Sequence, residues 1–175
     1  MARTITEWNV FGVKYRTRDY SAAFAANLIE EKGDPEPRNV LIDTEVFDAE
    51  SWHSLSDNSN INKYVTDKAG IIPPQQVLKV IMAYVTRLQF DWLDSWEGVK
   101  MPRRFQSLAD SITSDNVPSM ISTIIGSELA TLRELEEYYS LKDLFLMLES
   151  LTVKNVNAAL AHEEAEEAAK RAANR

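Results

Sequence analysis

Few side chains in this 175-residue sequence have the type and spacing to do chemistry. His162 and Glu166 stand four residues apart, the offset that places two ligands on one helical face, but a closed mononuclear metal site needs a third ligand and an outer shell of partners. A solvated helix face is the simpler reading of the pair. Asp91, Asp94 and Glu97 form an acidic group in which Asp91 and Asp94 share a face. A hard cation would accept such oxygens, yet there is no glycine-containing calcium loop and no second carboxylate pair, so the polar end of a helix explains them as well. His53, the other histidine, is far from His162 in sequence. The pairs Arg16/Arg18 and Arg103/Arg104 would grip phosphate or an acidic protein if they belonged to a basic stripe, and no such stripe is present.

The nucleophile elbow, the dinucleotide fingerprint and the phosphate-binding loop are all absent, which leaves hydrolase, dinucleotide and nucleoside-triphosphate chemistry without a motif. The chain has no cysteine, so disulfides, thiolate metal sites and cysteine nucleophiles are excluded together, in keeping with a reducing cytoplasm. No metal or organic cofactor is expected. Trp92 and Trp96 lie one helical turn apart beside Phe90; Trp92 reads as core, while Trp96 is a candidate anchor for a partner, since tryptophan is common in protein interfaces.

The strongest pattern is at the C-terminal end, in residues 138–175. Ser140 and Asp143 have the spacing of a capping box, and Leu141, Leu144, Phe145, Leu148 and Leu151 then recur on one helical face. From Ala161 the stripe thins to alanine among Glu163, Glu164, Glu166, Glu167, Lys170 and Arg171. Such a helix docks by its first half and projects by its second, which favours binding over catalysis and makes Leu141, Leu144, Phe145, Leu148 and Leu151, with Trp96, the candidate partner-binding residues.

The elements that would position this helix follow from local pattern. Residues 4–18 alternate around Gly12 and predict a β-hairpin turning at Phe11-Gly12. Ser21 caps a helix that runs to about Glu31 and is ended by Gly33, Pro35 and Pro37. Residues 39–47 are rich in β-branched and apolar side chains and read as a third strand, after which Asp48 would open a short helix carrying Trp52 and Leu55. Beyond a polar stretch at 57–73 the period is helical. Pro73 and Pro74 introduce a helix bearing Val77, Val80, Ile81, Tyr84, Val85 and Leu88. A short helix is expected at 105–112, and another from Asp115 and Pro118 that carries Met120, Ile121, Ile124, Ile125, Leu129, Leu132 and Leu135. The fold class is therefore α+β, mostly α: a small N-terminal β-hairpin element followed by a C-terminal helical bundle with a projecting last helix. The expected divisions are a small α+β part at 1–56, a polar linker at 57–73, a helical part at 74–160 and a charged helical tail at 161–175.

Composition bounds the partners. A hydrophobic share of 45% supports a real core, and 19 basic against 27 acidic residues give a net charge of −8, which disfavours non-specific nucleic-acid binding. The N-terminus lacks the apolar core of a signal peptide, and no unbroken run approaches the ~18 apolar residues of a membrane span. A soluble, intracellular protein with neither nucleic acid nor membrane as partner is expected.

Two segments, NVFGVKYRTRDYSAAFAANLIEE at 9–31 and YYSLKDLFLMLESLTVKNVNAALA at 138–161, cover about a quarter of the chain. The first resembles the strand, glycine turn, tyrosine-arginine strand and helix with which tail assembly chaperones of tailed bacteriophages often begin. The second resembles a helix near the C-terminus of phage tail-gene products, where an aromatic-Ser-Leu-x-Asp start leads into a leucine-rich run. The resemblance implies a non-enzymatic role in tail morphogenesis, in which amphipathic helices hold the tape measure protein or tail subunits in the cytoplasm of the infected bacterial host; a homo-oligomer is a separate partner expectation. A structural component of the virion tail, neck or baseplate is the alternative. An acidic inhibitor that mimics nucleic acid ranks lower, because the acids are interleaved with lysine and arginine.

Overall fold

The computed structural model describes residues 3–31, 33–105 and 116–173. Strands β1 (Ile5–Val10) and β2 (Val13–Arg18) form a hairpin whose two turn residues, Phe11 and Gly12, both have positive φ, 53° and 75°. That is the mirror-image turn whose twist matches the flanking strands, and it explains a glycine at this point. Strands β3 (Thr44–Phe47) and β4 (Trp52–Ser54) continue the meander, so the expected hairpin is half of a four-stranded antiparallel sheet in the order β1-β2-β3-β4.

One face of the sheet is apolar and faces the helices. Trp8 stacks on its cross-strand partner Tyr15 at 4.6 Å and on Tyr84 at 4.5 Å. Tyr84 lies on helix α4 (Pro74–Phe90), so this stack ties the sheet to the helical layer. The opposite face carries ion pairs, with Arg16 bonded to Glu45 and Lys14 2.8 Å from Glu7. Beneath the sheet, Trp8 donates its indole N–H to Thr17 at 3.0 Å and Thr17 meets Thr44 at 3.0 Å. The Tyr15 hydroxyl is the exception: it is buried without a partner among the described residues, and burial pushes its pKa up. Tyr15→Phe removes an unsatisfied polar atom while keeping the ring stack. It is expected to leave stability unchanged or raise it by about 1 kcal/mol, read from the urea midpoint at constant slope.

The helices are α1 (Ala22–Glu30), α2 (Pro37–Val40), α3 (Asn58–Tyr64), α4, α5 (Ser119–Gly126), α6 (Leu132–Glu137) and α7 (Leu141–Ala173). Helix α1 is capped by Ser21, whose hydroxyl accepts from the Phe24 N–H, and it buries Ala22, Ala23, Ala25 and Ala26. Small side chains on that face let α5, α6 and α7 come close. Helix α4 buries Val77, Ile81, Val85 and Gln89, one position per turn, and supplies the middle of the core.

Several local expectations are corrected. The third strand starts at Thr44 rather than Asn39, because Pro37 at the first helical position opens α2, which buries Val40. Asp48 starts no helix. Its carboxylate accepts from the backbone N–H groups of Glu50 and Ser51 at 3.2 and 3.1 Å, with Ala49 at φ 82°, and this closes the turn into β4. The polar stretch at 57–73 is not a bare linker: Asp57 caps α3, and Ile61 and Val65 enter the same core as Tyr15 and Leu144. The helix expected to run from Pro118 through Leu135 is two. Glu128 takes a positive φ of 58°, and a reciprocal capping box between Thr131 and Glu134 starts α6 anew. The helix expected at 105–112 lies almost wholly outside the described residues; only a short turn at Arg103–Phe105 is seen.

Candidate functional site

Helix α7 is anchored at its start. The Ser140 N–H and hydroxyl both donate to the Asp143 carboxylate, at 3.0 and 2.9 Å, and the Asp143 N–H returns a bond to the Ser140 oxygen at 3.3 Å. Ser140 also bridges to Ser21, and the Ala22 N–H donates to the Tyr139 carbonyl at 2.8 Å, which joins the N-termini of α1 and α7. Burial acts to raise the Asp143 pKa, the bonds from Ser140 are among the contributions that lower it, and the carboxyl titrates below its ordinary value. A depressed folded-state pKa contributes stability that is present above the unfolded carboxyl pKa and lost as pH falls through the folded one. Thermal melts from neutral pH down to about pH 3 should therefore show a smaller acid-induced loss for Asp143→Asn than for the unaltered protein, from a lower starting stability.

The stripe predicted to bind a partner divides in two. Leu141 and Leu144 are 4% and 0% exposed and belong to the core, so they are not partner anchors. Phe145, Leu148 and Leu151 are half-buried. Phe145 meets Trp92 edge-on at 5.3 Å and Trp96 at 6.0 Å, and the two tryptophans meet each other at 5.6 Å. Trp96 is thus a member of an aromatic triad, with its neighbour Gly98 so close that a Cβ there would meet the indole nitrogen at 2.9 Å. The Trp92 N–H donates to the Gln89 carbonyl at 2.8 Å.

Past Leu151 the helix is mostly exposed. Arg104 reaches Glu163 at 3.2 Å, so the chain before residue 106 runs beside this distal half. Further pairs run along the helix itself: His162 with Glu166 at 3.7 Å, Lys170 with Glu166 at 4.0 Å and Arg171 with Glu167 at 3.1 Å. His162 and Glu166 are therefore part of a solvated ladder, and among the described residues no group of three or more potential ligands could hold a metal ion. By length and composition alone α7 could cross a membrane, since one 18-residue window averages a hydropathy of 1.2, a property hidden from a search for unbroken apolar runs. Lys154, Asn155 and Asn157 stand inside that stretch, and a central charge costs about 3 kcal/mol on insertion scales.

The other candidate groups serve the fold. His53 lies flat on Tyr64 at 4.3 Å, with its Nε2 2.6 Å from Asp48 and 3.1 Å from Ser51, where it braces the β3–β4 turn. Arg16 is paired with Glu45 and stacked 4.4 Å over Trp52. Asp91 and Asp94 sit in the 3-10 turn Asp91–Ser95 that follows α4. A cleft of about 280 Å³ between Asp19, Leu88, Gln89, Trp92, Lys142 and Asp143 has a mixed polar and apolar lining, and the Gln89 amide and the Asp143 carboxylate are already engaged by backbone and cap. A second, open groove of about 450 Å³ lies between Lys14, Phe47, Lys63, Tyr64 and Lys68, with the Lys63 ammonium donating to the Tyr64 hydroxyl at 2.8 Å.

The feature missed in the sequence is a second apolar stripe on α7. Leu146, Val153 and Leu160 are exposed by 40%, 39% and 41%, and their seven-residue spacing places them on one line away from the core. The spacing was present in the sequence but was masked by the denser core-facing stripe. Comparison with known proteins returned no matching family model, no matching curated protein and no matching solved structure.

Proposed function

We propose that this protein is a non-enzymatic tail morphogenesis protein of a tailed bacteriophage, which binds the tape measure protein or other tail subunits through α7 in the cytoplasm of the infected host. The observation that carries the reading is the division of α7. Thirty-three residues form one helix, yet only Leu141, Asp143 and Leu144 are fully buried and Phe145, Met147 and Leu148 partly so, so a long and mostly exposed amphipathic rod is fixed to a compact body mainly through its first turns. A rod of this kind presents apolar side chains at helical spacing to a partner helix or groove. The net charge of −8 suits a soluble holder of a basic or apolar client.

Co-expression with the tape measure protein of the same genome tests it. The expected result is a soluble tape measure protein that co-purifies with the full chain and is lost, with the melting temperature of the body unchanged, when the chain is cut after Val153. A tape measure protein that is equally soluble and uncaptured in both arms overturns the reading. Mass spectrometry of purified virions then separates the two tail roles, because a chaperone is absent from the particle and a structural component is present.

A further inference from the structure

We propose that the exposed stripe of α7 is the seam of a symmetric, antiparallel helix pair formed with a second copy of this chain. The proposal rests on the reading of α7 as the binding element and commits one face of it to one occupant.

Along that face the side chains run Lys142, Leu146, Val153, Leu160, Glu164, every one of them exposed. The offsets between them are four, seven, seven and four, so the line is symmetric about Val153. Two copies laid antiparallel with Val153 on the two-fold axis set Leu146 of each against Leu160 of the other. The same register sets Lys142 of each against Glu164 of the other. A two-fold axis requires a self-complementary patch, and this line satisfies the requirement in both shape and charge. A parallel pair would instead place Lys142 on Lys142 and stack the Glu163, Glu164, Glu166 and Glu167 clusters on each other, which like charges oppose.

The flanking positions are compatible with close approach. Ser150 lies beside the line, and its hydroxyl is already spent on the Leu146 carbonyl at 2.9 Å, so it brings no unsatisfied donor into a seam. The intrachain ion pairs of the tail run through Glu163, Glu166 and Glu167 and leave the charge of Glu164 for the partner. From Lys142 to Glu164 the seam spans roughly 33 Å at about 1.5 Å per residue. With three apolar layers it matches a reversible dimer of roughly micromolar affinity.

The absence of cysteine makes the register directly readable. Val153→Cys introduces one thiol per chain at the axis, and mild oxidation is expected to link the full-length protein into a covalent dimer. Leu146→Cys alone should not cross-link, because antiparallel copies hold those positions about 20 Å apart at ~1.5 Å per residue, beyond the ~7 Å Cα separation a disulfide allows. An equal mixture of Leu146→Cys and Leu160→Cys chains should give the mixed dimer.

Sedimentation equilibrium supplies the second reading. The unaltered chain is expected as a dimer at tens of micromolar, Val153→Arg as a monomer with an unchanged dichroism spectrum, and Lys142→Glu as a dimer roughly tenfold weaker that Glu164→Lys restores. A chain that is monomeric up to about 100 µM overturns the proposal, as does Val153→Arg that remains dimeric or Leu146→Cys that links as readily as Val153→Cys. A monomer that still captures the tape measure protein sinks only the pairing, whereas a dimer that captures no tail protein sinks only the tail role.

Discussion

Leu144→Ala is expected to destabilise the protein by about 3–4 kcal/mol and to lower its melting temperature by roughly 10 °C. Leu144 is 0% exposed and lies in the core cluster with Ile121, Ile124 and Leu135, so its truncation leaves a cavity that these branched neighbours cannot fill without moving. Leu146→Ala, two residues on and 40% exposed, is expected to change stability by less than about 0.5 kcal/mol. Urea unfolding of the two variants measures the contrast. Equal losses would mean that the helix is held along its whole length, and no loss from Leu144→Ala would mean that its start is not anchored. The burial of Leu141 and Leu144 also corrects their reading as partner anchors, since side chains with almost no exposed surface cannot be anchors without local unfolding.

Leu144 and Leu146 mark the boundary of what the sequence could disclose. Capping signals and apolar spacing are local, and they located the start of α7 at Ser140, the hairpin at Phe11-Gly12 and the helix after Pro73, all of which the structure contains. Where a local signal has two uses, the sequence could not choose between them. Asp48 is as suited to cap a helix as to close a turn, and the decision came from the pairing of Phe47 with Trp52 and Val46 with His53 across the sheet. The segment around Ile61 looked like a linker because its polar residues outnumber its apolar ones, yet two apolar side chains at the right height in the core suffice to order it. The aromatic triad joins Trp92 and Trp96 to Phe145, about fifty residues later, a long-range contact that no local period encodes. The Leu146, Val153 and Leu160 line was legible in principle, but only the burial of the other face shows which of two apolar stripes remains open.

Gln89→Leu is expected to cost about 2–4 kcal/mol despite replacing a polar side chain by an apolar one of similar size in a buried position. The Gln89 amide joins α4 to the end of β2: its carbonyl accepts from the Tyr20 N–H at 2.8 Å, and its NH₂ donates to the Arg18 carbonyl at 3.1 Å. Backbone groups at the end of a strand have no ladder partner, so leucine would strand one buried donor and one part-buried acceptor together. Tyr20 adds to the cost. Its ring is 1% exposed, its hydroxyl donates to the Val40 carbonyl, and it contacts Phe90 at 6.0 Å, so a shift of its backbone disturbs α2 and α4 as well. Gln89→Glu separates hydrogen bonding from shape. A protonated carboxyl offers the same acceptor and donor as the amide, whereas an ionised one can accept from Tyr20 but opposes the Arg18 carbonyl and carries a buried charge. Burial raises the pKa of the introduced carboxyl in the folded state above its unfolded value, so this variant binds more protons folded than unfolded, and its stability rises as pH falls through that raised value. Gln89→Glu should therefore approach the unaltered protein in mildly acidic buffer and fall towards Gln89→Leu in alkaline buffer. A pH-independent gap between Gln89→Glu and the unaltered protein would mean that packing at Gln89, and not its bridge between Tyr20 and Arg18, holds the sheet to α4.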